Sequence, residues 1–290
     1  MSCGVVIINY RDAKRAEEVS IRCSGFHAVD HVVITDNCSP DESMLRLKQI
    51  RSNKIDVIQS DRNGGFSYGC NFGASYLIRR YNPTYILFAN TDTIFGEDVV
   101  DACLSTLSVH DDLGMVTPRM QGINGEEQIS AWPFTTFKDQ LLNCFWAYRH
   151  YLALHPHKHR QYSDPHFEYV DVARGSFMFF KTEALVKAGF FDEHTFLYAE
   201  ETIMAKRLLA AGYKIGIITD KWYIHDHKEA KQKGASVKQL AALFDSSYYY
   251  LNEYCHINLF QRIVFSIAKK YGVAEWAILS KLKEVRNKRI

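Results

Sequence analysis

No stretch of this 290-residue chain stays apolar for the roughly 20 residues that a membrane-spanning helix needs. The opening MSCGVVIINY has no basic segment ahead of a longer apolar one, so no secretion leader is read there. The seven cysteines are odd in number, scattered and without close pairs. That pattern excludes a disulfide framework and a zinc ribbon. It leaves Cys3, Cys23, Cys38, Cys70, Cys103, Cys144 and Cys255 as reduced, mostly buried thiols, expected in a cytoplasmic protein. Strong net charge is missing too: the formal value is +2, which gives no support for nucleic-acid binding. Internal repeats and low-complexity tracts are absent.

What is present is ordinary for a globular chain, with 47% hydrophobic and 23% charged residues. That suffices for one large α/β domain or two small ones. The charge is unevenly spread. Residues 262–290 hold eight Lys and Arg against Glu275 and Glu284, so this tail carries +6 and the rest about −4.

Strand and helix patterns alternate along the first half. GVVIINY (4–10), HVVITD (31–36), IDVIQS (55–60) and TYILFAN (84–90) are short β-branched apolar runs, the mark of strands covered on both faces. Between them lie helical segments, including SPDESMLRLKQI with its Ser, Pro and acidic start. This predicts a mostly parallel sheet flanked by helices, with ligands beyond the carboxyl ends of the strands. Asp36, Asn63 and Asp92 all lie at or just after such ends. Taken alone, Asp92 reads as a strand-ending turn or a helix cap. Two aspartates and an asparagine converging at or just after three strand ends weaken that local reading of Asp92.

The middle is less regular. An aromatic-rich stretch surrounds Trp132 and Trp146, and ALHPHKHRQYSDPHF (153–167) is polar and loop-like. Alternating His155, His157 and His159 read as solvated side chains rather than a metal site. SFMFF is strand-like, TEALVKAG a capped short helix, and ETIMAKRLLAAGYKIGIITD a helix, a glycine stop and a strand. Beyond about residue 235 the pattern is helical.

Several pieces in order resemble the inverting family 2 glycosyltransferases of GT-A fold, with bacterial rhamnosyltransferase-like enzymes of surface polysaccharide synthesis the nearest in look. They are VVIINY, VVITDNCSPDES, NGGFSYGCNFG, ILFANTD, ARGSFMFF with EALVKAGFFDE, FLYAEE with AKRLLAAGYKI, and a later YIH followed by GAS. The resemblance implies a Rossmann-like GT-A domain over about 1–235, with a donor half near 1–118 and an acceptor half near 119–235. A helical extension follows over 236–290. It implies transfer from a nucleoside-diphosphate sugar of UDP or dTDP type to a saccharide or lipid-linked acceptor.

The same resemblance assigns roles. Asp92 is placed at the metal and diphosphate, with Asn90 standing where the family's first Asp would be, and His225 supplies a further ligand for Mn²⁺ or Mg²⁺. Such ions suit hard oxygen ligands and a leaving diphosphate. Asp36 is placed at the nucleobase, where a carboxylate can accept a pyrimidine N3–H. Asn9, Asn63, Gly65, Asn71 and Arg174 border the donor. Glu201 is the expected base that takes the acceptor hydroxyl proton, with Glu200 as its alternative. Ile203 stands where the family often has another Asp. Trp132 and Trp146 offer aromatic faces to an acceptor sugar, against a competing role in the core.

Two other readings share these residues. One is a sugar nucleotidyltransferase, although INYRDAKRAEE lacks the glycines that class requires. The other is a non-catalytic nucleotide-sugar-binding scaffold. The tail, LFQRIVFSIAKKYGVAEWAILSKLKEVRNKR, alternates apolar and basic groups at helical spacing. It reads as a helix packed on the domain, a membrane-surface contact or a homo-oligomer interface.

Overall fold

The computed structural model describes residues 2–154, 162–226 and 236–287. The chain forms two compact units: Met1–Pro133, His159–Phe196 and Glu200–His227 make one, and Phe134–Lys158, Leu197–Ala199 and Lys228–Ile290 the other.

The first unit is built on a sheet. β1 (Cys3–Asn9), β2 (His31–Asp36), β3 (Ile55–Gln59) and β4 (Tyr85–Ala89) run parallel in the order β3-β2-β1-β4. α1 (Ala13–Ser24), α2 (Ser43–Leu47) and α3 (Phe66–Tyr81) connect them. Every residue of β4 is buried, as a β-branched and aromatic run covered on both faces requires. β5 (Thr93–Ile94), α4 (Glu97–Val109), β6 (Leu113–Gln121), β7 (Glu127–Gln128) and β8 (Ala131–Trp132) follow.

Past β8 the chain leaves for the second unit and returns as β9 (Phe167–Val170), β10 (Val172–Ala173) and β11 (Phe177–Lys181). The five residues of β11 are all buried, and the strand inserts antiparallel between β4 and β6. The sheet is therefore parallel over its first four strands and mixed beyond them. This insertion sets Ser176, just before β11, beside Asn90, just after β4. α7 (Thr182–Lys187) and α8 (Glu200–Ala210) lead to β12 (Lys214–His225), which runs parallel to β6 and ends antiparallel to β5.

The second unit is helical among its described residues. α5 (Phe137–Leu142) and α6 (Trp146–Leu154) precede its long helices, which are α9 (Val237–Tyr254) and α10 (Leu259–Asn287). Phe137 packs its ring near Phe265, and the Trp146 N–H donates to Glu275. A Cβ at Gly272 would lie 2.1 Å from the Cys144 carbonyl oxygen, so only glycine allows α10 this approach. These contacts join the aromatic stretch after Pro133 to the C-terminal helices, whereas the sequence reading kept it with the sheet. All seven thiols are free, five of them buried. No helix among the described residues is long and apolar enough to cross a membrane.

Candidate functional site

Asp36 closes β2 and is fully buried. Its Oδ1 accepts a hydrogen bond from Asn9 Nδ2 (2.6 Å), and Oδ2 accepts from the Ser39 N–H and from Gln59 Nε2, both at 3.1 Å. A buried carboxylate needs such donors to offset its lost hydration. Here they tie the carboxyl ends of β1, β2 and β3 together. Asn9 Oδ1 in turn accepts from the Asp12 N–H at 3.0 Å, after Arg11 has turned the chain at a φ of 62°.

Asn63 and Gly65 form the next piece. Asn37 Nδ2 donates to Asn63 Oδ1 (3.2 Å) and to the Gly65 carbonyl (2.9 Å). Gly65 has a φ of +89°, and a Cβ there would lie 2.1 Å from the Phe196 carbonyl oxygen. Glycine is required by both facts. Asn71, one turn into α3, uses its amide on the loop before α8. It donates to the Phe191 carbonyl (2.9 Å) and Glu193 (2.7 Å), and accepts from the Phe191 N–H (3.0 Å). Its side chain clamps that loop.

Asp92 lies in the turn after β4. The Thr93 N–H and Oγ1 both donate to the Asn90 carbonyl, so Asn90 makes the turn that local chemistry leads one to expect. The helix-cap reading of Asp92 does not apply, because α4 takes Gly96 as its N-cap. The Asp92 carboxylate instead accepts from His225 Nε2 at 3.1 Å. A carboxylate can only accept, so Nε2 carries the proton in this pair. β12 delivers His225 opposite Thr93 and leaves it 5% exposed, against 21% for the Asp92 side chain. Thr91 Oγ1 adds a bond to Asp12 Oδ2 at 2.6 Å.

The glutamate pair starts α8. Tyr198 and Ala199 precede it at φ of 73° and 65°, left-handed backbone that side-chain-bearing residues seldom adopt. Glu201 Oε1 accepts from the Gly175 N–H at 3.2 Å. Glu200 Oε2 is enclosed and has no hydrogen-bond partner among the described residues. Burial, reinforced by the Glu201 charge, pushes the Glu200 carboxyl up to about 8. Ile203 faces the core and is fully buried.

One hydrogen-bonded path joins the two carboxylate regions. The Asn90 N–H donates to the Ser176 carbonyl (3.0 Å), and the Gly175 N–H beside it reaches Glu201. Ser176 Oγ also pairs with the Tyr223 hydroxyl at 2.7 Å. Burial pushes the Tyr223 phenol well up, and the charges of Glu201 and Asp92 act in the same direction. Asp12, Gln59, Ser176 and Tyr223 escaped sequence reasoning. Only Tyr223 carried a signal: it lies two residues before His225 and shares its face of the strand.

Arg174 Nε and Nη2 donate to the Ile129 carbonyl, and its guanidinium lies 4.9 Å from the Trp132 ring centroid. Trp146 belongs to the helical unit, where its ring stacks on His150. His155, His157 and His159 lie outside the described residues.

Whether this site suits a divalent cation can be judged from its donors. Among the described residues no group of three or more His, Cys, Asp or Glu is arranged to hold a metal. Asp92 and His225 supply one oxygen and one nitrogen 3.1 Å apart. Adjacent ligands of an octahedral ion at about 2.1 Å sit about 3 Å apart, so the spacing is right for two of its positions. Mg²⁺ and Mn²⁺ commonly take a few protein ligands and fill the rest with phosphate oxygens and water. Asp92 and His225 fit as two ligands of a divalent cation whose other positions are filled from outside the chain.

Comparison with known proteins gives the family and the fold. Residues 5–180 match the model of "Glycosyl transferase family 2". The low-salt glycan biosynthesis hexosyltransferase Agl10 of Haloferax volcanii is 28% identical over 214 residues, which is 73% of this chain and 63% of that protein. The chain thus spans less than two thirds of the length of this curated relative. Among solved structures, S. aureus TarS in complex with UDP-GlcNAc matches at a TM-score of 0.56 and 17% identity, over 88% of this chain and 69% of that one. GalNAc-T7 with UDP, GalNAc and Mn²⁺ matches at 0.61 and 11%, over 96% and 57%. The mannosyltransferase PcManGT of Pyrobaculum calidifontis, with GDP-Man and Mn²⁺, matches at 0.56 and 14%, over 96% and 75%. At such identities the structures speak for the fold alone, which is GT-A.

Proposed function

The chain belongs to glycosyl transferase family 2, and from that premise we propose that it is a metal-dependent inverting transferase moving a sugar from a nucleoside diphosphate to a saccharide or lipid-linked acceptor. The observation that carries this reading is the path Asn90–Ser176–Gly175–Glu201. It brings the segment of Asp92, a carboxylate suited to a diphosphate-bound cation, and Glu201, a carboxylate suited to a proton, to the same end of one hydrogen-bonded strand pair.

Asp92 Oδ1 and His225 Nε2 would hold the cation. The cation supplies charge neutralisation at the departing diphosphate. Glu201 takes the proton of the acceptor hydroxyl as that oxygen attacks the anomeric carbon opposite the leaving group. The Gly175 N–H orients Oε1, so Oε2 is the oxygen that receives the proton. Ser176, pinned by Tyr223, keeps this pair of strands in register.

Asp36 reads the nucleobase with the acceptor capacity its three donors leave over. Gln59 is exposed, and its Nε2 is the donor that a pyrimidine N3–H replaces at Oδ2. Asn9, Asn63 and Gly65 shape the same rim, and Arg174 with Trp132 offers a cationic and aromatic edge to sugar. The nearest biological setting is assembly of a cell-surface glycan, rhamnose or another hexose being the sugar.

Calorimetric titration with UDP, dTDP, GDP and CMP, each with and without Mn²⁺, tests the reading. Mn²⁺-dependent binding of UDP or dTDP supports it. Preference for GDP or CMP removes Asp36 as reader of a pyrimidine N3–H, and no binding by folded protein makes the chain a scaffold.

A further inference from the structure

The helical unit carries a surface that the transfer reading leaves unused. α10 packs one face inward through Phe265, Ala268 and Gly272. Another face is apolar and bare. Phe260, Ile263, Ile267, Tyr271, Ile278 and Leu282 are between 51% and 74% exposed. With the exposed Ala274 between them, these positions follow one another by three, four, four, three, four and four residues. Such spacing averages about 3.67 residues per turn, close to the natural helix, so the stripe runs nearly straight along the axis. A left-handed coil with a second helix requires the 3.5-residue repeat of alternating threes and fours, whereas this eleven-residue repeat suits a flat surface or a right-handed pair, so spacing alone does not choose the occupant.

Charge separates the remaining occupants. Lys270 and Lys281 are exposed on the same flank of the stripe and have no acidic partner among the described residues. The described acidic side chains of this unit are engaged within it: Asp139 in a capping box, Asp245 with Lys269, Glu253 with Asn252, and Glu275 with the Trp146 N–H. A second copy laid on the stripe would bring lysines to the seam without carboxylates to meet them. A surface that is apolar within and negative outside satisfies both halves of the pattern.

We propose that α10 docks this unit onto the surface of an anionic phospholipid bilayer, the stripe entering the acyl boundary and Lys270 and Lys281 resting on the headgroups. The helix lies on the bilayer and does not cross it, in keeping with its alternation of apolar and charged residues. The proposal is independent of the transfer reading, since it uses no residue of the sheet unit.

Flotation of the full chain tests it, with vesicles of phosphatidylcholine alone and of phosphatidylcholine mixed with phosphatidylglycerol. The chain is expected to float with the mixed vesicles, to be released by about 0.5 M salt, and to stay down with phosphatidylcholine alone. Ile267→Asp with Ile278→Asp, and separately Lys270→Glu with Lys281→Glu, are each expected to lower partition about tenfold or more. All four positions are exposed, and an unchanged circular dichroism spectrum and melting temperature show that the variants fold. Equal flotation with both vesicles, no flotation, or variants that float as the parent does would overturn the proposal. A parent that sediments as a dimer and variants that sediment as monomers would overturn it in favour of a second copy.

Discussion

Asp36 and the Glu200–Glu201 pair are carboxylate sites of one sheet unit, and they are built in opposite ways. Asp36 is fully buried, and Asn9 of β1, Gln59 of β3 and the Ser39 N–H after β2 take most of its acceptor capacity. Glu201 receives one backbone N–H, and Glu200 keeps an enclosed oxygen with no partner among the described residues. A carboxylate surrounded by donors holds strands together, because removing it strands every donor at once. A carboxylate short of donors is kept for a proton or a ligand, and its cost is carried by the rest of the fold. The difference separates a carboxylate that also holds the scaffold from one whose oxygens are left open.

The strongest way to break that contrast is Glu201→Gln. The amide keeps size and shape but cannot accept the acceptor proton, so transfer is expected to fall about 1,000-fold. Donor affinity by calorimetry and melting temperature should hardly move. Transfer within tenfold of the parent would move the base elsewhere, Glu200 first.

Asp36→Ala is expected to do the reverse and cost stability outright. Asn9 Nδ2, the Ser39 N–H and Gln59 Nε2 lose their acceptor together, a loss of about 3 kcal/mol in urea unfolding. Nucleobase discrimination should fall with it. A stable Asp36→Ala protein would show that the strand ends hold without their carboxylate.

Asp92→Asn sits between these extremes, since Asp92 is partly exposed and, in the proposed reading, shares the cation with His225. Its neutral amide weakens a cation shared with diphosphate. Mn²⁺-dependent UDP affinity is expected to drop roughly 30-fold, about 2 kcal/mol, while metal-free affinity and stability stay as they were. An unchanged Mn²⁺ effect would remove Asp92 from the metal.

These sites differ in how far the sequence discloses them. The position of Asp36, Asn63 and Asp92 at or just after strand ends is legible because a continuous apolar run ends where polar residues begin. The alternation of strand and helix over the first hundred residues follows from contacts between neighbours in sequence. β11 does not follow from such contacts. Its apolar run reads as a strand, but nothing local says that it enters antiparallel between β4 and β6. That insertion places Ser176 against Asn90, and hence Glu201 within one hydrogen bond of the same segment. Asn71 is the converse case. Sequence placed it at the donor, and the structure spends its amide on the loop before α8. The grouping of Phe134–Lys158 with α10 is equally non-local, resting on the Trp146–Glu275 bond and the approach of Gly272 to Cys144.

The gentlest probe of the comparison is pH, and it bears on Glu200. Burial and the neighbouring Glu201 push its carboxyl from an ordinary 4.5 up to about 8 in the folded protein. The folded state therefore binds a proton between those values that the unfolded chain has released. Where the native state binds more protons, stability falls as pH rises. The contribution is complete below 4.5, shrinks across the window and is gone above about 8. Glu200→Gln stays neutral throughout, so its melting temperature should show less decline between pH 5 and pH 8, by a few degrees, and should exceed that of the parent at the alkaline end. The difference between the two curves isolates this one group from the other acids, which titrate alike in both proteins. Parallel curves would mean that Glu200 is as well served by its surroundings as Asp36, and the contrast between scaffold and chemistry would then rest on Glu201 alone.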